Sequence, residues 1–192
     1  MPRAGLNTEA VVDAALVVLD EQGVDGLTLA AVAAHTGVAT PSLYKHVKGL
    51  GPLRALVGAR VLDELADACG DAVMGRSRDD ALAAVLHAYR RYAVDHPHRY
   101  AALPQQPGSD PEVTRAGERV VAVFLAVLRG YDLAGADAIH TTRGLRAAAH
   151  GFTHLEIGGG FGLPEKIDDS YQALVDTLVA GLHARLARST TV

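Results

Sequence analysis

From Thr40 to Lys48 the chain reads TPSLYKHVK, a run that sets three hydroxyls, two lysines and a histidine around only two aliphatic side chains, Leu43 and Val47. Leu43 and Val47 are four apart, so on a helix they share one face and can be buried while Ser42, Tyr44, Lys45, His46 and Lys48 occupy the remaining surface. Cations and hydroxyls on such a surface can hold phosphate oxygens, and the first residues of a helix can reach base edges in a DNA major groove. An ordinary helical hairpin with a polar outer face has the same pattern, so the neighbouring elements must decide.

Those elements are punctuated by strong capping signals. Thr40-Pro41 reads as a hydroxyl N-cap followed by proline at the first helical position, where the missing N–H costs nothing. Thr28 can cap a helix whose stripe is Leu29, Val32 and Ala33, and Thr36-Gly37-Val38-Ala39 breaks it. Further upstream, Asn7-Thr8 can cap a helix carrying Val12, Ala15, Leu16 and Leu19, which Gly23-Val24-Asp25-Gly26 terminates. Three helices therefore fill the first 48 residues.

This ensemble, with LTLAAVAAHTGVATPSLYKHV at its centre, closely resembles the DNA-binding domain of the TetR family of one-component transcriptional regulators. Gly23, Leu27, Thr28, Val32, Ala33, Gly37, Val38, Leu43, Tyr44 and His46 fall where that family's pattern has them. The resemblance implies that Thr28 is a helix-capping phosphate contact and that Thr40, Pro41 and Ser42 form the groove-facing start of a recognition helix. It also implies that Tyr44 and His46 touch backbone phosphates, and that Lys45 and Lys48 read either phosphates or bases. There are two departures. Leu50 and Gly51 stand where the family usually has a lysine followed by an acidic residue, which makes Arg54, one turn into the next helix, the nearest substitute clamp. Val47 stands where phenylalanine is common, a smaller plug beneath the recognition helix.

Charge supports this reading least. Up to Lys48 the cations are Arg3, Lys45 and Lys48 against Glu9, Asp13, Asp20, Glu21 and Asp25, a net of −2. The acids lie on the first helix and its exit turn while both lysines sit at the recognition helix, so the positive end is local. Few cations neutralise few phosphates, and a modest salt dependence is expected. The whole chain, 192 residues at −4, offers no polybasic anchor, and 49% apolar content supplies a core. The lone Cys69 excludes an intrachain disulfide framework and reads as a buried small hydrophobe. No signal peptide and no apolar run of about 18 residues is seen, so a soluble cytoplasmic protein without membrane contact is expected.

From Gly51 onward every periodic segment is helical. A long helix runs from Gly51-Pro52 and loosens around Gly70 and Gly75, and Ser77 caps another that ends at Asp95-His96-Pro97. His98 to Leu103 is a short helical piece, 104–111 a loop, and Asp110-Pro111 restarts a helix that Gly130 stops. Two long segments follow, Ala134–Ile157 and Lys166–Ala187. The expected fold is all-α with about nine helices: a helix-turn-helix domain over residues 1–50 and a helical ligand-binding and dimerisation domain over residues 51–192.

In the last segment Leu174, Val175, Leu178, Val179, Leu182 and Leu186 form a wide stripe, and Ala147, Ala148 and Gly151 make a face that admits a close neighbour. Both can be satisfied within one core. In proteins of the resembled family, however, the last two long helices pair with their symmetry mates as a four-helix bundle, implying a homodimer on a double-stranded operator. RGLRAAAHGFTHLEIGGGFG, residues 143–162, further resembles the Trp-His-Gly regulatory domain of one branch through His150-Gly151 and Leu155-Glu156, although the chain has no tryptophan. A small-molecule effector is thereby implied, and Tyr92, His96, Tyr100, Phe124, Arg143, His150 and His154 are the candidates to line its pocket. His150 and His154 have the i, i+4 spacing of metal ligands but no third ligand, so neither a metal nor a cofactor is expected. Two further readings fit a helical chain, a histidine- or metal-dependent helical enzyme and a helical adaptor for proteins. The first lacks any converging nucleophile and base; the second rests only on the acidic first domain.

Overall fold

The computed structural model describes residues 6–103 and 110–189, and within them the chain forms nine helices and no strand. They are α1 (Thr8–Gly26), α2 (Leu29–Thr36), α3 (Thr40–Leu43), α4 (Leu50–Val73), α5 (Arg78–Asp95), α6 (Pro97–Ala101), α7 (Pro111–Arg129), α8 (Gly135–Ile157) and α9 (Ile167–Ser189). The all-α expectation holds. Arg3, most of the loop expected over 104–111 and the end of the tail lie outside the described residues.

Local chemistry sets most boundaries. Asn7 Oδ1 accepts from the Ala10 N–H at 2.8 Å and Thr28 Oγ1 from the Ala31 N–H at 3.1 Å, so both expected caps form. Gly37 ends α2 with φ +69°, and Val38 N–H donates back to the Ala33 carbonyl at 3.1 Å, a closure that favours glycine because any Cβ is strained there. Gly23, at φ +72°, interrupts α1 three residues before Gly26, so the expected terminator acts at its first glycine. Asp110 Oδ1 caps α7 through the N–H groups of Glu112 and Val113.

Two expectations are corrected. The N-cap of α3 is Ala39, whose φ −73° and ψ 140° are extended, and Thr40 is already inside the helix. Helix α4 also runs unbroken through Gly70: Ala66 and Cys69, both buried, hold its inner face, which outweighs about 1 kcal/mol of glycine cost. Of the two glycines only Gly75, at φ +71°, turns the chain.

The helices gather into two compact units. One contains residues 1–64 and 96–119, the other 65–95 and 120–192, so the chain passes between units within α4, at Asp95–His96, and within α7. In the first unit, Val11, Ala15, Leu16 and Leu19 of α1 are buried together with Leu27, Val32, Leu43, Val47, Leu53 and Val57. A satellite cluster joins Ala59 to Val113 and Ala116. In the second, Leu82, Leu86, Phe124, Leu128, Leu145, Ala149, Tyr171 and Val175 are buried, and the Tyr171 hydroxyl donates to the Leu86 carbonyl at 2.7 Å. Cys69 is buried there too, and burial pushes its thiol up to about 12, as befits a structural side chain.

Candidate nucleic-acid interface

The recognition segment is one helical turn continued by looser turns. Ser42 N–H donates to the Ala39 carbonyl at 2.8 Å, and the Leu43 carbonyl accepts from both His46 and Val47 N–H at 2.9 Å. Leu43 and Val47 are 0% and 2% exposed, so the expected aliphatic pair does anchor the segment and valine suffices as the plug. Thr8 adds a tie from the start of α1, its hydroxyl donating to the His46 carbonyl at 3.2 Å.

Everything else on the segment is available. Pro41, Tyr44, Lys45 and Lys48 are exposed, and Thr40, Ser42 and His46 are half-buried. Among the described residues the side chains of Thr40, Ser42, Tyr44, Lys45 and Lys48 have no partner. The shifted cap matters here. Because Ala39 occupies the cap position, the Thr40 hydroxyl is not consumed by its own helix and stays free for an outside acceptor. Thr28, by contrast, is exposed and already holds the Ala31 N–H, which limits it to a second, weaker contact. Arg54 is exposed and donates to the Val24 carbonyl at 3.4 Å, stitching α4 to the α1 exit turn.

The acidic first domain finds its explanation in residues far along the chain. Arg60 of α4 binds Asp13 at 3.0 Å and lies 3.8 Å from Glu9. Arg99 of α6 grips Asp20 through Nε at 2.9 Å and Nη2 at 2.6 Å, and reaches Glu64 at 2.9 Å. The bond to Asp20 raises the Arg99 pKa above the usual arginine range. His98 Nδ1 also lies 2.8 Å from the Asp20 carbonyl. In the same unit, Arg115 and Arg119 hold Asp63, and the Arg115 hydrogen bond keeps its carboxyl below the usual range. Three of the five acids counted on the first 48 residues are thus matched from outside them. No local window reveals such pairs.

The expected effector residues divide between the units. Tyr92 and Phe124 are buried in the second unit, where Phe124 packs edge-on to Tyr89 at 6.4 Å. His96 and Tyr100 belong to the first. Arg143, His150 and His154 are exposed on α8, with the two imidazoles stacked 5.9 Å apart. Partial burial, then the charges of His154 and Arg146, lowers the His150 pKa. No group of three or more possible metal ligands occurs among the described residues.

Arg90 was missed by sequence reasoning. It binds Glu156 through two bonds of 2.6 and 2.5 Å, reaches Asp168 at 2.7 Å and lies 5.0 Å over the Tyr171 ring. Glu156 thereby gains a structural role. Arg90 borders an open cleft of about 550 Å³ on α5 and α9, beside His87, Arg91 and Gln172. The spacing 87, 90, 91, 94 on α5 was the available signal, although nothing in it identifies the partners.

Comparison with known proteins agrees with this geometry. Residues 11–48 match the model for bacterial regulatory proteins of the tetR family, and residues 82–178 match that for the tetracyclin repressor-like C-terminal domain. An HTH-type transcriptional regulator of Mycobacterium tuberculosis is 40% identical over 190 residues, covering 98% of this chain and 85% of that protein. Among solved structures, a protein of unknown function from Rhodococcus sp. RHA1 superposes with a TM-score of 0.81 at 24% identity, covering 94% of this chain and 97% of that one. A TetR variant from Acinetobacter baumannii in complex with minocycline gives 0.72 at 18% identity, covering 93% and 94%. With both halves matched and a relative aligned almost end to end, this chain belongs to the TetR family of DNA-binding transcriptional regulators.

Proposed function

We propose that the chain is a ligand-responsive repressor that binds a near-palindromic operator as a homodimer, with residues 1–50 reading DNA and residues 51–192 pairing the subunits and receiving the effector. The observation that carries this reading is the recognition segment: its hydroxyls and lysines are uncommitted while α1 acids are tied to Arg60 and Arg99. Thr40 and Ser42 serve base edges, and Tyr44, His46 and Lys48 serve phosphates. Lys45 and Thr28 add to the phosphate contacts. The cytoplasm is the compartment that such a task requires.

Dimerisation is assigned to α8 and α9. The leucine-valine stripe of α9 is turned largely into its own subunit, since Val175 and Leu182 are 1% and 5% exposed. The face left open on α9 is made of Ala173, Thr177, Ala180 and Ala184, and that on α8 includes Ala147 and Gly151. Small residues at i, i+4, i+7 and i+11 let a symmetry mate approach closely.

Effector control follows from connectivity. Residues 96–119 share the unit of the reading head and are fastened to α1 through His98 and Arg99. An effector in the second unit acts on the head through α4, Asp95–His96 and α7. A helix-turn-helix dimer reads half-sites about 34–36 Å apart, so a small change spoils simultaneous docking. Coupling of about 1–3 kcal/mol is the usual scale. The minocycline complex of the Acinetobacter protein supports a small-molecule effector. The test is a gel shift with the DNA upstream of the chain's own gene: a saturable complex of two chains per duplex is expected, and its absence at low salt contradicts the reading.

A further inference from the structure

The outer face of α8 carries an exposed seam. Ile139, Arg143, Ala147, His150, His154 and Ile157 follow at steps of four, four, three, four and three, the spacing that keeps a stripe on one side of a helix, and all six are exposed. Ile139 and Ile157 are 46% and 36% exposed, and with Leu155 they make three of the eight large hydrophobic side chains left exposed among the described residues, so this face is built to be covered. Aliphatic ends around a small centre, where Ala147 and Gly151 stand beside the histidines, suit a second helix crossing at about 8–10 Å. Charge narrows what can cover it. From Ala138 to Leu155 the helix holds His140, Arg143, Arg146, His150 and His154 and no carboxylate. In a twofold interface the same patch faces itself, so this stripe brings no acid to answer its own bases.

Neutral imidazoles offer another way to join the two faces, because each carries an electron pair. His150 and His154 are one turn apart with their rings stacked 5.9 Å from each other, which is half of a four-nitrogen set. Partial burial, then the charges of His154 and Arg146, favours the neutral ring of His150, the form that ligates. Resting on the reading of the chain as a homodimer through α8 and α9, we infer that His150 and His154 of both subunits together hold one zinc ion on the twofold axis. The third and fourth ligands that one chain lacks are the same pair from the second subunit, so the site is complete only in the dimer. Four imidazole nitrogens without a carboxylate suit zinc, whereas magnesium and calcium take oxygen. His140 takes no part, since it lies about 15 Å from His150 along the helix.

Calorimetric titration of the untagged full chain with zinc chloride, together with sedimentation, tests this. One zinc ion per two chains is expected, and saturating zinc should lower the dissociation constant of the dimer by about tenfold or more, an effect that EDTA reverses. Cobalt(II) in its place should give the intense visible bands of tetrahedral coordination. His150→Gln and His154→Gln should each weaken zinc binding about a hundredfold, and so should Ala180→Arg, a change on the open face of α9 that parts the subunits and leaves both histidines in place. His140→Gln should bind as the parent does. No saturable zinc binding to the parent, one ion per chain, or undiminished binding by His154→Gln or Ala180→Arg overturns the inference. Gel shifts with the upstream DNA on the same preparations separate the two readings. Retained DNA binding without zinc binding refutes the metal site alone, and absent DNA binding in the parent refutes the regulator reading.

Discussion

Six cations of the first unit fall into two populations. Arg60, Arg99, Arg115 and Arg119 are locked to carboxylates of α1, α4 and α7, while Lys45 and Lys48 have no partner among the described residues. Both groups lie in one compact unit, so net charge could not have separated them. Pairing does. The arginines hold the first unit together, and on the proposed reading the lysines are what it offers to DNA.

The bluntest way to test that division is to remove the second head. Ala180→Arg, on the open face of α9, should give folded monomers whose operator affinity falls at least a hundredfold, since one head retains only one set of contacts. Sedimentation with a gel shift checks it; a dimer with unchanged affinity would move the interface elsewhere. Leu182→Asp is a different experiment because Leu182 is buried within its own subunit, and it should lower stability instead.

Within the head, Arg99→Ala should cost about 1.5–3 kcal/mol of stability, because Asp20 and Glu64 lose a charged donor. Lys48→Ala should change stability by less than about 0.5 kcal/mol. Urea unfolding of both variants reads this directly, and equal losses would erase the distinction. A finer split concerns base reading: Thr40→Val should shift preference at one base pair by about 1–3 kcal/mol without a uniform loss, as judged on a set of singly substituted operators.

The smallest expected effect is on acid sensitivity. His150 has a depressed pKa in the folded chain, so the unfolded chain takes its proton first. The associated stability is therefore present above the ordinary value of 6.5 and is lost as pH falls through it. His150→Gln should flatten melting temperature between pH 7 and 5.5, with His154 and Arg146 left in place.

How much of this was legible beforehand depends on distance along the chain. Caps and turns that act within four residues, at Asn7, Thr28, Gly37 and Asp110, were readable because donor, acceptor and backbone demand are all local. Leu43 and Val47 were readable for the same reason. Thr40 misled because a hydroxyl before proline is an excellent cap, yet Ala39 already had the extended backbone the position needs. Gly70 misled because glycine content says nothing about the packing of Ala66 and Cys69 beside it. Arg99 with Asp20, and Arg90 with Glu156, are 79 and 66 residues apart, beyond any periodicity. Nor could it be foreseen that the buried hydroxyls of Thr142 and Thr153 have no hydrogen-bond partner among the described residues, since the adjacent Thr141 has the same residue type and a satisfied bond.

The central claim, that the unpaired lysines of the recognition segment face phosphate and the paired arginines do not, is tested most directly by the salt dependence of operator affinity. The parent, Lys48→Ala and Arg60→Ala are titrated with one duplex over a range of salt concentrations. Loss of Lys48 should weaken binding on every sequence and reduce the log–log slope by about 1, while Arg60→Ala leaves the slope unchanged. An unchanged slope in Lys48→Ala, or a reduced one in Arg60→Ala, would contradict the account.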